Sequence, residues 1–207
     1  MKLILVRHGE TEWVRQHRYQ GSTDIPLNRQ GILQARATGK ALKASKPKLI
    51  YSSAMQRANQ TAQEIARICR KKITVDPRLN ELSFGKWEGH RHAKISDQFP
   101  AASKAWYLAN WNSCPPDGES LKSLSQRIGS FLKDLSKHYS KKSTCVIVTH
   151  GGPIRMFLIL ILKVAPTVFW TFRVDPASIN VIHLTITRKE LILLNSQCHL
   201  NGSRRRK

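Results

Sequence analysis

Acidic side chains are scarce in this chain of 207 residues. Thirteen Asp and Glu stand against 35 Lys and Arg, which gives a formal net charge of +22. A surplus of that size draws anions toward the protein, whether phosphorylated small molecules, nucleic acid or an acidic membrane surface. The charge is equally compatible with a basic surface that serves solubility or reflects the host's general composition. Charge alone therefore does not name a partner.

Cysteines are also few, and long apolar runs are absent. The four cysteines, at positions 69, 114, 145 and 198, include no CxxC pair. This spacing argues against a disulfide framework or a zinc site and fits a reducing compartment. We expect most of the cysteines to be small core residues. The longest apolar run, Met156 to Leu162, is far shorter than the roughly 20 residues of a membrane span. The run at 3–6 is too short for a signal peptide, so we expect a cytoplasmic protein with no membrane partner.

The composition fits one globular domain. Hydrophobic residues make up 41% of the chain, enough for a sizeable core, and we assign residues 1–200 to a single domain. Within it, the segment 80–118 is irregular and is punctuated by Pro100, Pro115, Pro116 and Gly118. We expect this insertion to form a small cap with two short helices. The basic tail, 201–207, is expected to be disordered.

Apolar periodicity predicts strands that alternate with helices. Short apolar runs predict strands at 3–6, 49–51, 73–75, 145–148, 178–186 and 191–194, the last two as a hairpin. Apolar residues three and four apart predict helices at 28–44, 54–70, 120–138 and from about Ile154. A long polar loop is expected at 8–27. This alternation predicts an α/β fold, a three-layer sandwich with a mainly parallel central sheet and helices on both faces.

Four short stretches place reactive side chains at or near strand ends. They are Arg7-His8-Gly9-Glu10, the segment around Arg57, the segment around Glu81, and Thr149-His150-Gly151-Gly152. Ligands of open α/β sheets bind beyond the carboxyl ends of the strands, which is where His8 and His150 both fall. We therefore expect one pocket that contains two arginines, two histidines and one carboxylic acid.

This combination of side chains is suited to phosphoryl transfer. The planar forks of Arg7 and Arg57 match the oxygens of a phosphate group. Because nearby cations lower the pKa of a histidine, His8 could stay neutral at pH 7 and act as a nucleophile that becomes phosphorylated. Glu81 would then protonate the departing oxygen. Since arginines and histidines offset the developing charge, the scheme requires no metal and no cofactor.

Each of these residues also has an ordinary structural interpretation. A histidine after a strand is commonly a cap or a satisfied polar group, Arg57 could be a solvated helix residue, and Glu81 could pair with Lys86. The joint occurrence of two histidines, each followed by glycine at a strand end, favours the catalytic interpretation. His90 and His92 form an H-x-H pattern that could bind a metal. Without a Cys or carboxylate constellation beside it, we expect a solvated loop there.

Six motifs follow one another in a characteristic order between residue 3 and about residue 195. They are "LVRHGET", Gln20-Gly21 with "DIPLNRQG", "SSAMQRANQTA", "NELSFGKWEG", "PPDGES" and "VTHGG". Together they resemble the histidine phosphatase superfamily, in its phosphoglycerate mutase-like branch. The resemblance implies the sandwich fold and hydrolysis in two steps through a phosphohistidine. It also implies that His8 is the nucleophile and Glu81 the proton donor, and that phosphate is bound by Arg7, Gln20, Gly21, Arg57, His150 and the backbone amide of Gly151.

One position departs from the family pattern. Members usually carry Asn six residues after the nucleophilic histidine, whereas this chain has Val14. Because that Asn normally contributes to the phosphate site, we expect Val14 to reduce activity without abolishing it. The aromatic residues of the cap segment are candidates for the substrate wall, although aromatics in such a segment are more often core residues: Phe84, Trp87, Trp106 and Trp111.

The spacing of the motifs favours a phosphatase within the family. Mutases carry a longer insertion between the acid and the second histidine than the 69 positions that separate Glu81 from His150. "NELSFGKWEG" and "PPDGES" look most like small phosphatases of the alpha-ribazole phosphatase type, which act in cobalamin assembly. A cofactor-dependent phosphoglycerate mutase is the alternative. A basic nucleic-acid-binding protein with a relic pocket is more remote, since no nucleic-acid-binding motif is present. The sequence leaves a homodimer open.

Overall fold

Six strands build one mixed sheet at the centre of the molecule. The structure is a computed structural model and describes residues 1–138, 143–185 and 187–203. The strands are β1 (Lys2–Arg7), β2 (Leu49–Ser52), β3 (Ile73–Val75), β4 (Thr144–Thr149), β5 (Ile179–Leu184) and β6 (Lys189–Ser196). Their order is β3-β2-β4-β1-β5-β6. The first four strands are parallel, and β5 and β6 add an antiparallel hairpin. The predicted mainly parallel sheet with a closing hairpin is confirmed.

The central strands β1 and β4 are buried on both faces, which explains their unbroken apolar sequences. Successive side chains of a strand point to opposite faces of the sheet. Leu3 and Leu5 accordingly enter one hydrophobic core, whereas Ile4 and Val6 enter the other. The sheet therefore separates two cores, as a three-layer sandwich requires.

Helices cover both faces of the sheet. They are α1 (Glu12–Arg15), α2 (Arg29–Lys43), α3 (Gln56–Cys69), α4 (His92–Gln98), α5 (Pro100–Tyr107), α6 (Leu121–His138) and α7 (Gly151–Leu162). Side chains of α2 and α3 join the core that contains Ile4, and those of α6 and α7 join the core that contains Leu3. Asn28 caps α2, since its side chain accepts a hydrogen bond from the N–H of Gly31 at 2.8 Å. The predicted layered α/β fold is confirmed.

Most boundaries lie within two residues of the sequence prediction, and two segments differ by more. The segment 8–27, predicted as a loop throughout, contains the one-turn helix α1, which Thr11 caps by accepting from the N–H of Val14. Helix α7 begins at Gly151 instead of near Ile154, because two glycines, which are poor helix formers, conceal its first turn in the sequence. The early start places the N-terminus of α7 directly after His150.

Cysteine burial also departs from the prediction. Cys145 is buried in β4, whereas Cys69 is partly exposed and Cys114 and Cys198 are exposed. The expectation that most cysteines are core residues is therefore wrong. Cys114 lies in the irregular segment and Cys198 begins the last short 3-10 helix, where no core surrounds them. All four are free thiols.

The segment 80–118 contains the two short helices that its sequence predicted, α4 and α5. Short 3-10 helices complete the fold at Pro77–Leu79, Gly85–Trp87, Pro166–Thr171 and Cys198–Ser203. The predicted tail thus begins within a 3-10 helix, and its residues 204–207 lie outside the described residues. Among the described helices, none has both the length and the apolar character needed to cross a membrane.

Candidate active site

The register of the sheet places the two predicted histidines beside each other. Strands β1 and β4 are parallel neighbours in which Arg7 pairs with Thr149, so His8 and His150 leave the same edge of the sheet. The N–H of His8 donates to the carbonyl of Thr149 at 2.9 Å. The two imidazole centroids lie 5.1 Å apart. The two strand-end motifs therefore converge, as the parallel sheet predicted.

The hydrogen bonding of His8 determines which of its ring nitrogens is free. The side chain is buried, and Nδ1 lies 2.7 Å from the carbonyl oxygen of Gly9. Because a carbonyl only accepts, Nδ1 carries the proton and Nε2 keeps its lone pair. Burial, and after it the neighbouring Arg57 and Arg7, hold the pKa of His8 well below its usual value. His8 is therefore neutral at pH 7, the form of imidazole that can act as a nucleophile.

His150 is held in the opposite tautomer. Nε of Arg57 donates to its Nδ1 at 3.2 Å, so the ring proton resides on Nε2, which donates to Oγ of Ser53 at 2.8 Å. The Ser53 hydroxyl donates in turn to Oδ1 of Asn80 at 2.9 Å. Burial, and then Arg57, lower the pKa of His150 well below its usual value. The result is an oriented, neutral imidazole whose Nε2–H is a donor.

Arg57 is fully buried, which contradicts its interpretation as a solvated helix residue. Its Nη1 donates to the carbonyl of Thr23 at 2.9 Å and its Nη2 to the carbonyl of Gly21 at 2.7 Å. The loop that carries these carbonyls is clamped by Glu88, which accepts from the N–H of Thr23 at 2.9 Å and from its hydroxyl at 2.5 Å. Burial lowers the pKa of Arg57 to about 10. Arg57 therefore remains a cation at neutral pH.

Arg7, the last residue of β1, adds a second cation. Its Nη1 donates to the carbonyl of Val174 at 2.6 Å. Its Nε is buried and has no hydrogen-bond partner among the described residues. Burial lowers the pKa of Arg7, and Glu81 and Asp175 oppose that shift. Because a buried donor without a partner destabilises the fold, Arg7 is prepared to bind an anion that enters the site.

Glu81 lies against the N-terminus of α7. Its Oε1 accepts from the N–H of Leu82 at 3.0 Å and from the N–H of Gly152 at 3.2 Å. A Cβ on Gly152 would come within 2.5 Å of that oxygen, so the position of Glu81 requires glycine at 152. Lys86 pairs instead with Asp117, at 3.1 Å. Glu81 is therefore not the partner of Lys86.

A cavity of about 400 Å³ opens beside this cluster. The predicted site residues that line it are Arg7, Gln20, Gly21, Glu81 and Gly151, and Val14 lines it as well. Gln20 is held by the hydroxyl of Thr11, which donates to its Oε1 at 2.7 Å. The other predicted residues, His8, Arg57 and His150, are buried next to the cavity, where Arg57 bonds to the wall at Gly21. The structure thus brings all the predicted site residues into one region.

The aromatic residues of the cap segment divide between the cavity and the core. Phe84 lines the cavity. Trp87 and Trp106 are fully buried and belong to the core that α6 and α7 cover. Trp111 is partly exposed and lies in a separate surface hollow. Of the four candidates for the substrate wall, only Phe84 therefore occupies that position.

His92 was expected in a solvated loop, and this expectation is wrong. It begins helix α4 and lines the cavity, with its ring centroid 4.2 Å from that of Tyr19. The helix turns the imidazole inward onto the tyrosine, and burial lowers its pKa to about 4. His90 does lie in a loop, outside the helices and strands.

Three arginines line the cavity, Arg7, Arg18 and Arg155, and sequence reasoning missed Arg18 and Arg155. Arg155 is the one nearest to Arg7 at Gly151. It lies four residues after Gly151 on α7, and this spacing places both residues on the same face of the helix. This four-residue spacing could have indicated Arg155 in the sequence if the start of α7 at Gly151 had been known.

An ion pair that holds the backbone next to Glu81 was also missed. Glu119, in the motif "PPDGES", accepts from Nε and Nη2 of Arg127 at 2.7 and 2.8 Å. Nη1 of Arg127 donates to the carbonyl of Asn80 at 2.7 Å. The pair therefore fixes the backbone immediately before Glu81, while the Asn80 side chain serves His150 through Ser53.

The sequence matches the family model of the histidine phosphatase superfamily (branch 1) over residues 3–197. The chain belongs to this family. Phosphoserine phosphatase 1 of Hydrogenobacter thermophilus is 34% identical over 200 residues, which are 97% of this chain and 94% of that protein. The adenosylcobalamin/alpha-ribazole phosphatase of Escherichia coli is 29% identical over 199 residues, which are 95% of this chain and 97% of that protein.

A solved structure supports the same assignment. The mycobacterial glucosyl-3-phosphoglycerate phosphatase in complex with VO3 has a TM-score of 0.88 and 28% identity, and the match covers 95% of this chain and 99% of that one. The three relatives are named for different substrates, but all three are phosphatases. This member of the histidine phosphatase family is therefore an enzyme that hydrolyses phosphate monoesters.

Proposed function

We propose that this phosphatase is metal-independent and acts on small phosphorylated metabolites in two steps, with His8 as the nucleophile. The observation that carries the proposal is the buried, neutral imidazole of His8, whose Nδ1 is held by Gly9 while two arginines lower its pKa. Nε2 forms a bond to phosphorus as the ester P–O bond breaks, and Glu81 gives its proton to the leaving oxygen. Water then attacks the phosphohistidine, Glu81 takes the proton of the water, and the N–P bond breaks to release phosphate.

The phosphoryl oxygens are bound by cations and N–H donors of the protein itself. Arg7 contributes its unpartnered Nε and Arg57 its buried guanidinium. His150 shares its Nε2–H between Oγ of Ser53 and a phosphoryl oxygen in this proposal. Gln20, Gly21 and the N–H of Gly151 at the start of α7 complete the proposed phosphate site. These groups supply the charge that metal ions supply in other phosphatases, which supports metal independence.

The substrate is proposed to be a small metabolite because the cavity is small. Its volume of about 400 Å³ lies near the lower end of the range of roughly 300–1,000 Å³ for small-molecule sites. Alpha-ribazole 5'-phosphate is the candidate to which the motifs point, and the Escherichia coli relative carries its name. Phosphoserine is the second candidate, because the relative named for it has the higher identity, 34%.

A cytoplasmic location and a homodimer belong to the proposal as well. The outer strand β6 exposes three consecutive aliphatic side chains, Ile192, Leu193 and Leu194. An exposed apolar edge strand is a surface to which a second chain can add. Light scattering on the wild type and on Ile192→Lys tests this point, and a wild type that is monomeric at all concentrations would contradict the dimer.

The first experiment measures phosphate release from p-nitrophenyl phosphate in the presence of EDTA. The wild type is compared with His8→Ala and with His183→Ala as the control. His183 pairs with Lys2, at the start of β1 and thus at the sheet edge opposite to the site. We expect activity that survives EDTA, is lost in His8→Ala and is kept in His183→Ala. Activity that EDTA abolishes, or that His8→Ala retains, would overturn the proposal.

A second experiment captures the intermediate. Rapid quenching with radiolabelled substrate should yield an acid-labile, alkali-stable label on the wild type, as expected for phosphohistidine, and none on His8→Ala. A label on 3-phosphoglycerate that moves to the 2-position with little free phosphate would instead indicate the mutase alternative.

A further inference from the structure

Arg155 places a positive charge without an acidic partner in the cavity wall. None of the ion pairs that the described residues form includes it. Burial, and then Arg7, lower its pKa to about 10, and the nearby carboxylates of Glu81 and Asp175 oppose that shift, so Arg155 is still a cation at neutral pH. A partly buried charge beside a like charge destabilises the fold unless an anion compensates it. Glu81 and Asp175 act on Arg155 without forming an ion pair with it, and Arg155 is not part of the proposed phosphoryl-transfer scheme, so its guanidinium can still bind an anionic group of a ligand.

The guanidinium of Arg155 is held in one orientation. Its Nε donates to the carbonyl of Phe172 at 2.9 Å. Its Cζ lies over the rings of Trp170 and Phe169, at 5.2 and 5.7 Å from their centroids. With Nε occupied and the guanidinium over aromatic rings, the donors that remain are those of the two Nη groups. Nη1 lies 3.1 Å from the point that a Cβ on Gly151 would occupy. Because Gly151 lines the cavity, this end of the guanidinium lies at the cavity wall.

Arg155 lies beside the proposed phosphoryl site but does not belong to it. Nε and Cζ of Arg7 lie 4.0 Å from the same point at Gly151, so the two guanidinium groups flank a single glycine. The charges that act on both His8 and His150 include Arg7 and Arg57 but not Arg155. Arg155 therefore places a cation in the cavity wall a short distance beyond Arg7, whereas Arg18 of the same wall donates to Gln16 and to the carbonyl of Gly89.

We infer that Arg155 binds a carboxylate of the substrate, so that the enzyme selects phosphate esters that carry a carboxyl group a few bonds from the ester oxygen. The inference rests on the proposed function. The free end of the fork presents parallel N–H groups, which match the two oxygens of a carboxylate. Because Arg7 and Arg155 approach one point, the two anionic groups of the ligand must be close together. Small phosphorylated hydroxy acids and amino acids meet that condition.

The test compares kcat/KM for two pairs of substrates that differ in the carboxyl group. The pairs are phosphoserine with phosphoethanolamine, and 3-phosphoglycerate with glycerol 3-phosphate. All four are alkyl esters, so their need for a proton on the leaving oxygen is similar. We expect the wild type to prefer the carboxylated member of each pair by at least about tenfold. Arg155→Gln should lose about tenfold to a hundredfold on the carboxylated members and less than about threefold on the others.

Two further variants keep the test decisive. Arg173→Gln removes an exposed arginine that pairs with Asp175 at 2.8 Å and does not line the cavity, so it should preserve the preference. Arg155→Lys keeps the charge but not the fork, so it should retain part of the preference even if Arg155→Gln folds poorly. Equal losses on all four substrates in a folded Arg155 variant would overturn the inference.

The outcomes also separate this inference from the function on which it rests. A wild type that hydrolyses none of the esters contradicts the proposed function. A wild type that hydrolyses them all without preference for a carboxyl group contradicts the role of Arg155 alone.

Discussion

Nε of Arg57 donates a hydrogen bond to Nδ1 of His150 at 3.2 Å, and both side chains are fully buried. An arginine can only donate, so this contact leaves the proton of His150 on Nε2. His8 has the reverse arrangement, because the carbonyl of Gly9 keeps its proton on Nδ1. The two imidazoles, 5.1 Å apart, therefore suit different tasks in the proposed reaction: His150 shares its Nε2–H between Ser53 and the phosphoryl group, and His8 acts as the nucleophile.

Removing the support of His150 should slow the reaction. Ser53→Ala deletes the hydroxyl that accepts from Nε2 of His150 and donates to Asn80. We expect kcat/KM to fall by about threefold to tenfold, the effect of one hydrogen bond. Ser52→Ala is the matched control, because Ser52 is also buried but bonds to the backbone at Ser53. Steady-state kinetics and melting curves on both variants check this, and equal rates in the two would contradict it.

Gly152→Ala should impair the proposed proton donor, Glu81, by moving its carboxyl group while leaving residue 81 itself unchanged. The new Cβ would lie 2.5 Å from Oε1 of Glu81 and would displace the carboxyl group. We expect a loss of about a hundredfold on an alkyl ester such as phosphoserine, where the leaving oxygen needs a proton. The loss on p-nitrophenyl phosphate should be small, because p-nitrophenolate leaves without one.

The control for that variant is Gly129→Ala. A Cβ at Gly129 would meet only Leu160, at 4.0 Å, so this change on α6 should be harmless to activity. Glu81→Gln should reproduce the substrate dependence of Gly152→Ala. Equal losses on both substrates in Gly152→Ala would show that residue 152 acts on something other than the acid.

Val14→Asn should raise activity. Val14 lines the cavity, and an amide there would add a donor to the bound phosphoryl group. A hydrogen bond to a charged group is worth about 1.5–3 kcal/mol, so we expect kcat/KM to rise by about one to two factors of ten. Val14→Leu changes the same wall without adding a donor and serves as the control. An unchanged rate in Val14→Asn would indicate that another donor already fills this position.

The placement of His8 and His150 could be predicted from the sequence because it follows from the sheet. Two apolar strands that end in His-Gly predict two imidazoles at one edge of a parallel sheet, and the register of Arg7 with Thr149 fulfils this. The position of Glu81, the proposed proton donor, could be predicted for a related reason, since Glu81 comes shortly after β3, another parallel strand of the same sheet. The apolar pattern of the strands, and the rule that ligands of α/β sheets bind beyond the carboxyl ends of the strands, were sufficient to predict these positions.

The residues that were missed act through contacts between distant segments. Glu88 clamps the loop at Thr23 from 65 positions away, and no local pattern indicates such a contact. His92 was misassigned because its burial depends on how α4 packs against Tyr19. Arg155 was missed because the glycines at the start of α7 conceal the first helical turn. Motif spacing along the chain carries none of this information.

The pH dependence of the reaction should reflect the depressed pKa of His8. Burial is the main cause of the depression, followed by Arg57 and Arg7. Because the neutral form is the nucleophile, His8 becomes inactive only as the pH falls through this lowered pKa. Once the ionisation of the substrate is accounted for, we expect the acidic limb of the profile to lie below 6.5, the ordinary value for histidine.

Removing one of the cations that lower this pKa should move the limb in a known direction. Arg7→Gln deletes a positive charge that disfavours the imidazolium, so the pKa of His8 should rise and the acidic limb should shift to higher pH, at a lower maximal rate. Arg18→Gln is the control, because Arg18 lines the cavity but is not among the charges that act on His8. NMR titration of labelled imidazoles, with His8→Ala to assign the signal, measures the pKa directly. If the His8 signal in Arg7→Gln titrated at the same or a lower pH, the arginine would not be what keeps the nucleophile neutral.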